Sequence, residues 1–177
     1  MLSRRLLVGA AAGMLTLGFA VPASAADTGS TTATITLVAG VISITVPVSA
    51  GNLGTRANTV GGGVISGPLG QVQVSDARTA AAGSGWVTSV ISTAFTPPAG
   101  PAIPASAVGY TAGTITKVGT ATYTANDPTD LTASVPAVTA TGITGDNSAT
   151  WNPTINVTVP GGMAPGVYGA TITHSVI

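Results

Sequence analysis

The chain has 177 residues, five basic and five acidic side chains, one histidine and no cysteine. Charged residues make up 6% of it, against roughly 25% in an ordinary soluble domain. Without clustered Lys or Arg there is no electrostatic basis for binding nucleic acid or for attachment to an anionic wall polymer by charge. The same inventory excludes disulfides and metal sites built on thiolate or several imidazoles, and we expect no cofactor.

The first 25 residues have the three parts of a secretory signal peptide. Residues 3–5 (Ser-Arg-Arg) are a basic start, residues 6–21 are apolar, and residues 23–25 (Ala-Ser-Ala) form a small-residue cleavage signal. The apolar stretch is too short and too rich in glycine for a membrane anchor. The arginine pair leaves twin-arginine export open beside the general route. We expect cleavage after Ala25 and a secreted protein with no integral membrane segment.

The remaining residues, 26–177, are expected to form one domain. Its three basic and five acidic residues give a net charge of −2. Short runs rich in β-forming residues, several of them alternating apolar and polar, occupy residues 42–46, 72–75, 90–95, 120–124 and 155–159. Proline and glycine separate the runs, and long loops are expected at residues 55–67 and 96–104. About eight to ten short strands predict an all-β fold, a single antiparallel β-sandwich, with a β-barrel as the alternative.

The most informative pattern lies in residues 72–95. A valine-rich run leads into Asp76 and Arg78, which share one side of an extended chain. Residues 80–85 are small and predict a flexible reversal before Trp86 opens a second run. A structural ion pair between Asp76 and Arg78, fixing the loop before Trp86, is favoured over ligand contact because the neighbouring side chains are small.

Other polar residues have structural and chemical interpretations. His174 follows Tyr168 and Ile172 at period 2, so it is predicted on the apolar side of the last strand, hydrogen-bonded to backbone. A Ser-His-Asp triad stays formally open, but we expect no enzyme.

Four acidic and amide residues lie in loops or near turns. Asp127 and Asp130, with the neighbouring pair Asp146 and Asn147, could help to hold a calcium ion. Capping of turns by these side chains is favoured, because Asp and Asn accept hydrogen bonds from nearby backbone amides.

Few aromatic side chains are available to stack on sugar rings. Trp86 has Thr88 and Val90 on its side of the strand, and a core position is favoured for it over an exposed platform. Trp151 precedes Asn152 and a proline at a turn, so it is expected to be the more exposed tryptophan.

The order of these features resembles the WxL surface domains of Gram-positive bacteria, in an actinobacterial-like variant. The segments VQVSDAR and GSGWVTSV match the family's valine-rich strand, Asp-x-Arg pair and Gly-Trp strand start, and GVYGATITHSVI matches its final Gly-x-Tyr strand. The chain has Thr88 where the family has Leu, and residues 174–176 (His-Ser-Val) where it has a second Trp-x-Leu. The resemblance implies non-covalent binding to peptidoglycan. The ligand-binding candidates are Trp151, Trp86, Tyr168 and His174.

Three functions follow as hypotheses. The preferred one is a secreted cell-wall or cell-surface protein that associates non-covalently with peptidoglycan or with other surface proteins, as the resemblance implies. The alternative is a self-associating structural surface or matrix protein without direct glycan binding, because the composition is uncharged and rich in Thr, Gly and Ala and strand edges are expected to be exposed. An enzyme is the third.

Overall fold

The computed structural model describes residues 30–38 and 40–177. The chain divides into two units, Met1–Thr36 and Leu37–Ile177, and all strands of the described residues belong to the second. The predicted signal peptide and its cleavage site after Ala25 lie outside the described residues. Within those residues, none of the helical structure has the length and apolar character needed to span a membrane.

Eight strands build two antiparallel sheets in the described part of the chain. They are β1 (Ile42–Thr45), β2 (Gly63–Pro68), β3 (Val72–Ser92), β4 (Val108–Thr111), β5 (Thr116–Ala125), β6 (Val135–Trp151), β7 (Thr154–Val159) and β8 (Ile172–Val176). The large sheet has the order β1-β3-β6-β5, with β8 also paired to β3, and the small sheet has the order β2-β7-β4. Two open sheets packed on each other, rather than one closed sheet, confirm the predicted all-β sandwich.

The core lies between the two sheets and follows the alternation of the sequence. Val72 and Val74 of β3 are fully buried, as are Ile155 of β7 and Val108 of β4. Their polar neighbours in the strands point away from the partner sheet, as the pleat of a strand requires. The large sheet therefore has an inner apolar face and an outer polar face.

The long strands β3 and β6 form the centre of the large sheet, with 21 and 17 residues. Their register runs from Val72 opposite Trp151 to Val90 opposite Val135 and shifts between Asp76 and Trp86. The predicted reversal at residues 80–85 is therefore wrong. The strand bulges there instead of turning back, because β6 continues to pair with it.

The loop predictions have mixed outcomes. Residues 63–67 were expected in a loop but lie in β2, since β7 supplies a ladder of hydrogen bonds from Val159 to Thr154 that local glycine content does not reveal. Residues 97–102 do form a loop, closed at its base by a bridge between Phe95 and Ile103.

Candidate functional site

Asp76 and Arg78 form an ion pair at the start of the β3 bulge. Arg78 Nε donates to Asp76 Oδ1 at 2.8 Å, and Nη2 donates to Oδ2 at 3.0 Å. This two-point geometry is the strongest that a guanidinium and a carboxylate can make. The Asp76 side chain is fully buried, whereas the Arg78 side chain is 35% exposed. The buried Asp76 carboxylate is therefore neutralised by a guanidinium that is partly exposed to solvent.

Asn147 of β6 connects this ion pair to Trp86. Its Nδ2 donates to Asp76 Oδ2 at 3.2 Å, and its Oδ1 accepts the indole N–H of Trp86 at 2.9 Å. The hydroxyl of Tyr123 lies 3.4 Å from the same Oδ1, and the Tyr123 ring packs on Trp86 with centroids 5.6 Å apart. The sequence pointed to Asn147 only as a turn or calcium residue. Its role comes from the register of β3 against β6.

Electrostatics keep the Asp76 carboxylate ionised. The side-chain hydrogen bond from Arg78 holds the pKa of Asp76 below its ordinary value, against the opposing effect of burial. The same bond raises the pKa of Arg78. Removing one partner of such a pair is destabilising, because it leaves a buried charge without compensation. Asp76 and Arg78 therefore depend on each other for their charged states.

A shallow depression of about 400 Å³ opens beside Arg78. It is lined by Arg78, Ala80, Ser84 and Gly85, and Arg78 Nη2 also donates to the carbonyl of Gly85 at 3.3 Å. Within the described residues Arg78 Nη1 makes no hydrogen bond. The depression therefore exposes one edge of the Arg78 guanidinium among small side chains. It is too open to enclose a small molecule.

Trp151 is buried, and the expectation that it is the exposed tryptophan is wrong. Only 2% of its surface is exposed, and its indole N–H donates to the hydroxyl of Tyr110 at 2.7 Å. Trp151 is the last residue of β6 and lies opposite Val72, so its side chain points inward before the chain turns at Asn152. Trp86, likewise, has 2% exposure. Neither indole ring offers a face to a sugar.

His174 contacts the same hydroxyl from β8. Its Nε2 lies 3.3 Å from Tyr110 Oη, and the two rings are 5.6 Å apart. Tyr110 Oη accepts from Trp151 and has a second acceptor site and one hydrogen left, so the tautomer of the imidazole decides whether Nε2 donates to this hydroxyl or accepts from it. Nδ1 is buried without a hydrogen-bond partner among the described residues, and burial lowers the pKa of His174 to about 4. The expected backbone bond is therefore wrong.

Of the four ligand-binding candidates, the structure brings two together. Trp151 and His174 both contact the hydroxyl of Tyr110, while Trp86 is bonded to Asn147 beside the Asp76–Arg78 pair. Tyr168 lies apart, half-buried, with its hydroxyl donating to the carbonyl of Ala164 at 2.8 Å. The four side chains do not form one binding site.

Three carboxylates, Asp127 and Asp130 in a loop and Asp146 in β6, accept hydrogen bonds from backbone amides. Asp127 accepts from the N–H of Ala112 and Asp130 from the N–H of Thr132, each at 2.8 Å, and Asp146 accepts from Thr79 at 3.1 Å. No group of three or more metal-ligating side chains occurs among the residues that the structure describes. A cavity of about 180 Å³ is lined by Asp127 together with uncharged residues of β4, β7 and the neighbouring loops.

The outer side of the large sheet carries rows of uncharged polar side chains. One row crosses four strands as Thr45, Gln73, Thr150 and Thr116, and the next as Ser43, Ser75, Ser148 and Val118. We call the seven polar members of these rows the hydroxyl face. Most of them are exposed, and Ser148 and Thr150 are half-buried. The sequence showed these residues as the polar half of each alternation, but only the register aligns them.

Comparisons with protein-family models, with curated proteins and with solved structures find no match to this chain. The two hydrogen-bonded clusters and the hydroxyl face are therefore the observations on which a function has to be argued. Most side chains of the two clusters are buried and bonded within their own cluster, whereas the hydroxyl face is open to a large partner.

Proposed function

We propose that this chain is a secreted cell-surface module of the WxL type that associates non-covalently with peptidoglycan through its hydroxyl face. The observation that carries the proposal is the pair of aligned polar rows across β1, β3, β6 and β5. The large sheet displays them on the side opposite the core, where an extended polymer has access.

The spacing of these side chains suits a polysaccharide. Neighbouring strands lie about 4.8 Å apart and alternate residues along a strand about 6.8 Å apart, so the rows form a regular grid. Each hydroxyl provides one donor and two acceptor sites, and the amide of Gln73 adds two donors and an acceptor. Threonine is stiff at its first side-chain torsion, so little rotamer entropy is lost on binding. Glycan hydroxyls and acetamido groups are matching partners.

Neutral hydrogen bonding replaces charge and stacking in this mechanism. The hydroxyl face contains no charged residue, and the net charge of −2 on residues 26–177 opposes attraction to an anionic wall. Stacking on Trp151 or Trp86 has no support because both rings are buried. Association should therefore depend little on salt.

The sequence motif that suggested the family supports the sheet that displays this face. Asp76, Arg78 and Trp86 are joined through Asn147, which ties β3 to β6 at the bulge. We assign these residues a structural role in the proposed module. The same proposal includes no enzymatic activity, since Nε2 of the single histidine is engaged by Tyr110.

The direct test is sedimentation of purified residues 26–177 with purified peptidoglycan at low and at high salt. The proposal expects co-sedimentation at both, with a small change between them. Binding that disappears at high salt would replace the hydrogen-bonding mechanism by an electrostatic one. No binding at either salt would overturn the function and favour the self-associating alternative, which a separate feature of the chain supports.

A further inference from the structure

Residues 31–38 (TTATITLV) have the composition of a strand but are not part of a sheet. Threonine and apolar residues alternate from Thr32 to Leu37, and all eight residues are exposed. Ile35, Leu37 and Val38 are 88%, 90% and 87% exposed. β-branched residues such as Thr, Ile and Val are favoured in half-buried strands. Burying the exposed apolar side chains against a partner would be energetically favourable, because it removes apolar surface from water. We call this segment the 31–38 arm.

The large sheet has one long open edge, β5. Its ten residues pair with β6 on one side only, and eight of them are exposed. The edges of the small sheet are obstructed: the N–H of Tyr110 in β4 donates to Pro128, and Gly67 of β2 packs directly on the backbone of Leu53. The terminal strands β1 and β8 have only four and five residues. Among the described strands, β5 is therefore the edge best able to accept another strand.

The geometry points to an antiparallel pairing in which the 31–38 arm of one copy adds to β5 of a second copy. With Thr34 opposite Thr122, Ile35 faces Ala121 and Ala33 faces Tyr123, while Leu37 lies over Gly119. In these three pairs a large side chain meets a small one, and Val38 at the end of the arm lies opposite Val118. Cross-strand pairs of this kind, rather than isolated residues, stabilise a sheet.

Both faces of the sheet gain from this register. Ala121 and Tyr123 pack against the core from β5 but remain half-buried at its open side. Ile35 and Leu37 would cover that side and extend the core. On the opposite face Thr34 would continue the hydroxyl pattern of Thr122 and Thr141, which are already paired across β5 and β6.

Lys117 and Gly119 explain why β5 would accept the arm rather than another β5. A charged lysine and an irregular residue on an edge strand are devices that hinder edge-to-edge pairing. Gly119 has a φ of 87° and coincides with a register shift. The arm carries no charge and ends at Val38, opposite Val118, so it stops short of Lys117 and meets the irregular Gly119 only near its own end. The same edge can therefore disfavour pairing with another β5 and still accept the arm.

The arm and the β5 edge are different surfaces, so each copy can donate one strand and accept one. Such a contact is heterologous and produces an open chain of copies unless the rotation closes a ring. The inference stands independently of peptidoglycan binding, because it uses neither the rows across β1 and β3 nor a glycan.

Cysteine cross-linking tests the register, because the natural sequence has no cysteine. Thr34→Cys in one preparation is mixed with Thr122→Cys in another under oxidising conditions. We expect disulfide-linked dimers of the two variants. The matched control replaces Thr122→Cys by Thr158→Cys, an exposed threonine of the small sheet, and should give no enrichment. Equal cross-linking in both mixtures, or none, would overturn the register.

A second experiment tests the assembly itself. Light scattering of the wild type should show concentration-dependent oligomers, which Ile35→Asp with Leu37→Asp should abolish while the thermal transition stays unchanged. Val167→Asp, at another exposed apolar residue, is the matched control and should still assemble. A monomeric wild type at all concentrations, or a double Thr34→Cys and Thr122→Cys chain that closes only on itself, would contradict pairing between copies.

Discussion

The indole N–H of Trp151 donates to the hydroxyl of Tyr110 at 2.7 Å and links the two sheets through their polar atoms. Trp151 ends β6 of the large sheet, and Tyr110 lies in β4 of the small sheet. Both side chains are almost completely buried. The bond therefore satisfies polar groups that burial would otherwise leave without partners, and it fixes the larger tryptophan as a structural residue.

Replacing Trp151 should destabilise the fold. We expect Trp151→Ala to lower the free energy of unfolding by about 3 to 5 kcal/mol, through loss of a large core side chain. Trp151→Phe should cost less, because it keeps most of the packing and removes only the donor to Tyr110. Urea unfolding measures both. An unchanged midpoint for the alanine variant would contradict the buried position of Trp151.

Acidification should weaken the fold through His174. Its pKa is about 4 in the folded protein, below the ordinary histidine value of 6.5, so between these values the unfolded chain binds the additional proton. Stability should therefore fall as the pH decreases from about 6.5 to about 4, by as much as about 3 kcal/mol. The pKa values of Asp76 and Asp130 are lowered in the folded protein, so the stability that their ionised forms contribute is lost only at still lower pH.

The matched variant for this effect is His174→Gln, which does not titrate and whose amide can still share a hydrogen bond with Tyr110. Its unfolding free energy should be nearly flat between pH 6.5 and pH 4 apart from the general background. An equal slope in the wild type and the variant would assign the pH dependence to other groups.

Removing Arg78 should leave a buried charge without its partner. We expect Arg78→Ala to lower the unfolding free energy by about 2 to 3 kcal/mol, below the range for fully buried pairs because Arg78 reaches solvent. Arg56→Ala is the control: Arg56 donates to the carbonyl of Gly62 in an exposed loop and should change stability by less than about 1 kcal/mol. Equal losses in the two variants would contradict the role of the Asp76 pair.

Two glycines of the large sheet should respond differently to alanine. Gly119 and Gly142 both have positive φ, of 87° and 64°. A Cβ on Gly119 would lie 2.6 Å from the carbonyl oxygen of Asp146, whereas on Gly142 it would meet nothing within 4 Å. Gly142→Ala should cost about 1 to 2 kcal/mol from backbone strain, and Gly119→Ala more. Thermal unfolding would contradict this if Gly142→Ala were the more destabilised.

The fold class followed from local alternation, which is visible in the sequence. Runs at residues 42–46 and 155–159 contain β1 and β7 within a residue or two, because each has one apolar and one polar side. β2 was missed since its glycines indicate a loop, and its strand conformation depends on pairing with β7. Local sequence patterns do not show which distant segments pair with each other, so β2 could not be predicted from them.

The candidate sites divide in the same way. Asp76 and Arg78 are two residues apart, so their contact could be anticipated from an extended chain. The partners of the tryptophans lie 61 and 41 residues away, in Asn147 and Tyr110. A turn beside Trp151 suggested exposure, but the register of β6 against β3 decides which way that side chain points.

Binding of peptidoglycan through the hydroxyl face is tested by measuring peptidoglycan binding of a variant in which that face is altered. Thr45→Val, Thr116→Val and Thr150→Val together remove three hydroxyls while keeping side-chain shape, and Thr129→Val with Thr158→Val is the control on exposed sites away from that face. We expect the triple variant to lose co-sedimentation with purified peptidoglycan at an unchanged thermal midpoint, while the control binds like the wild type. Full binding by the triple variant would contradict binding through the hydroxyl face.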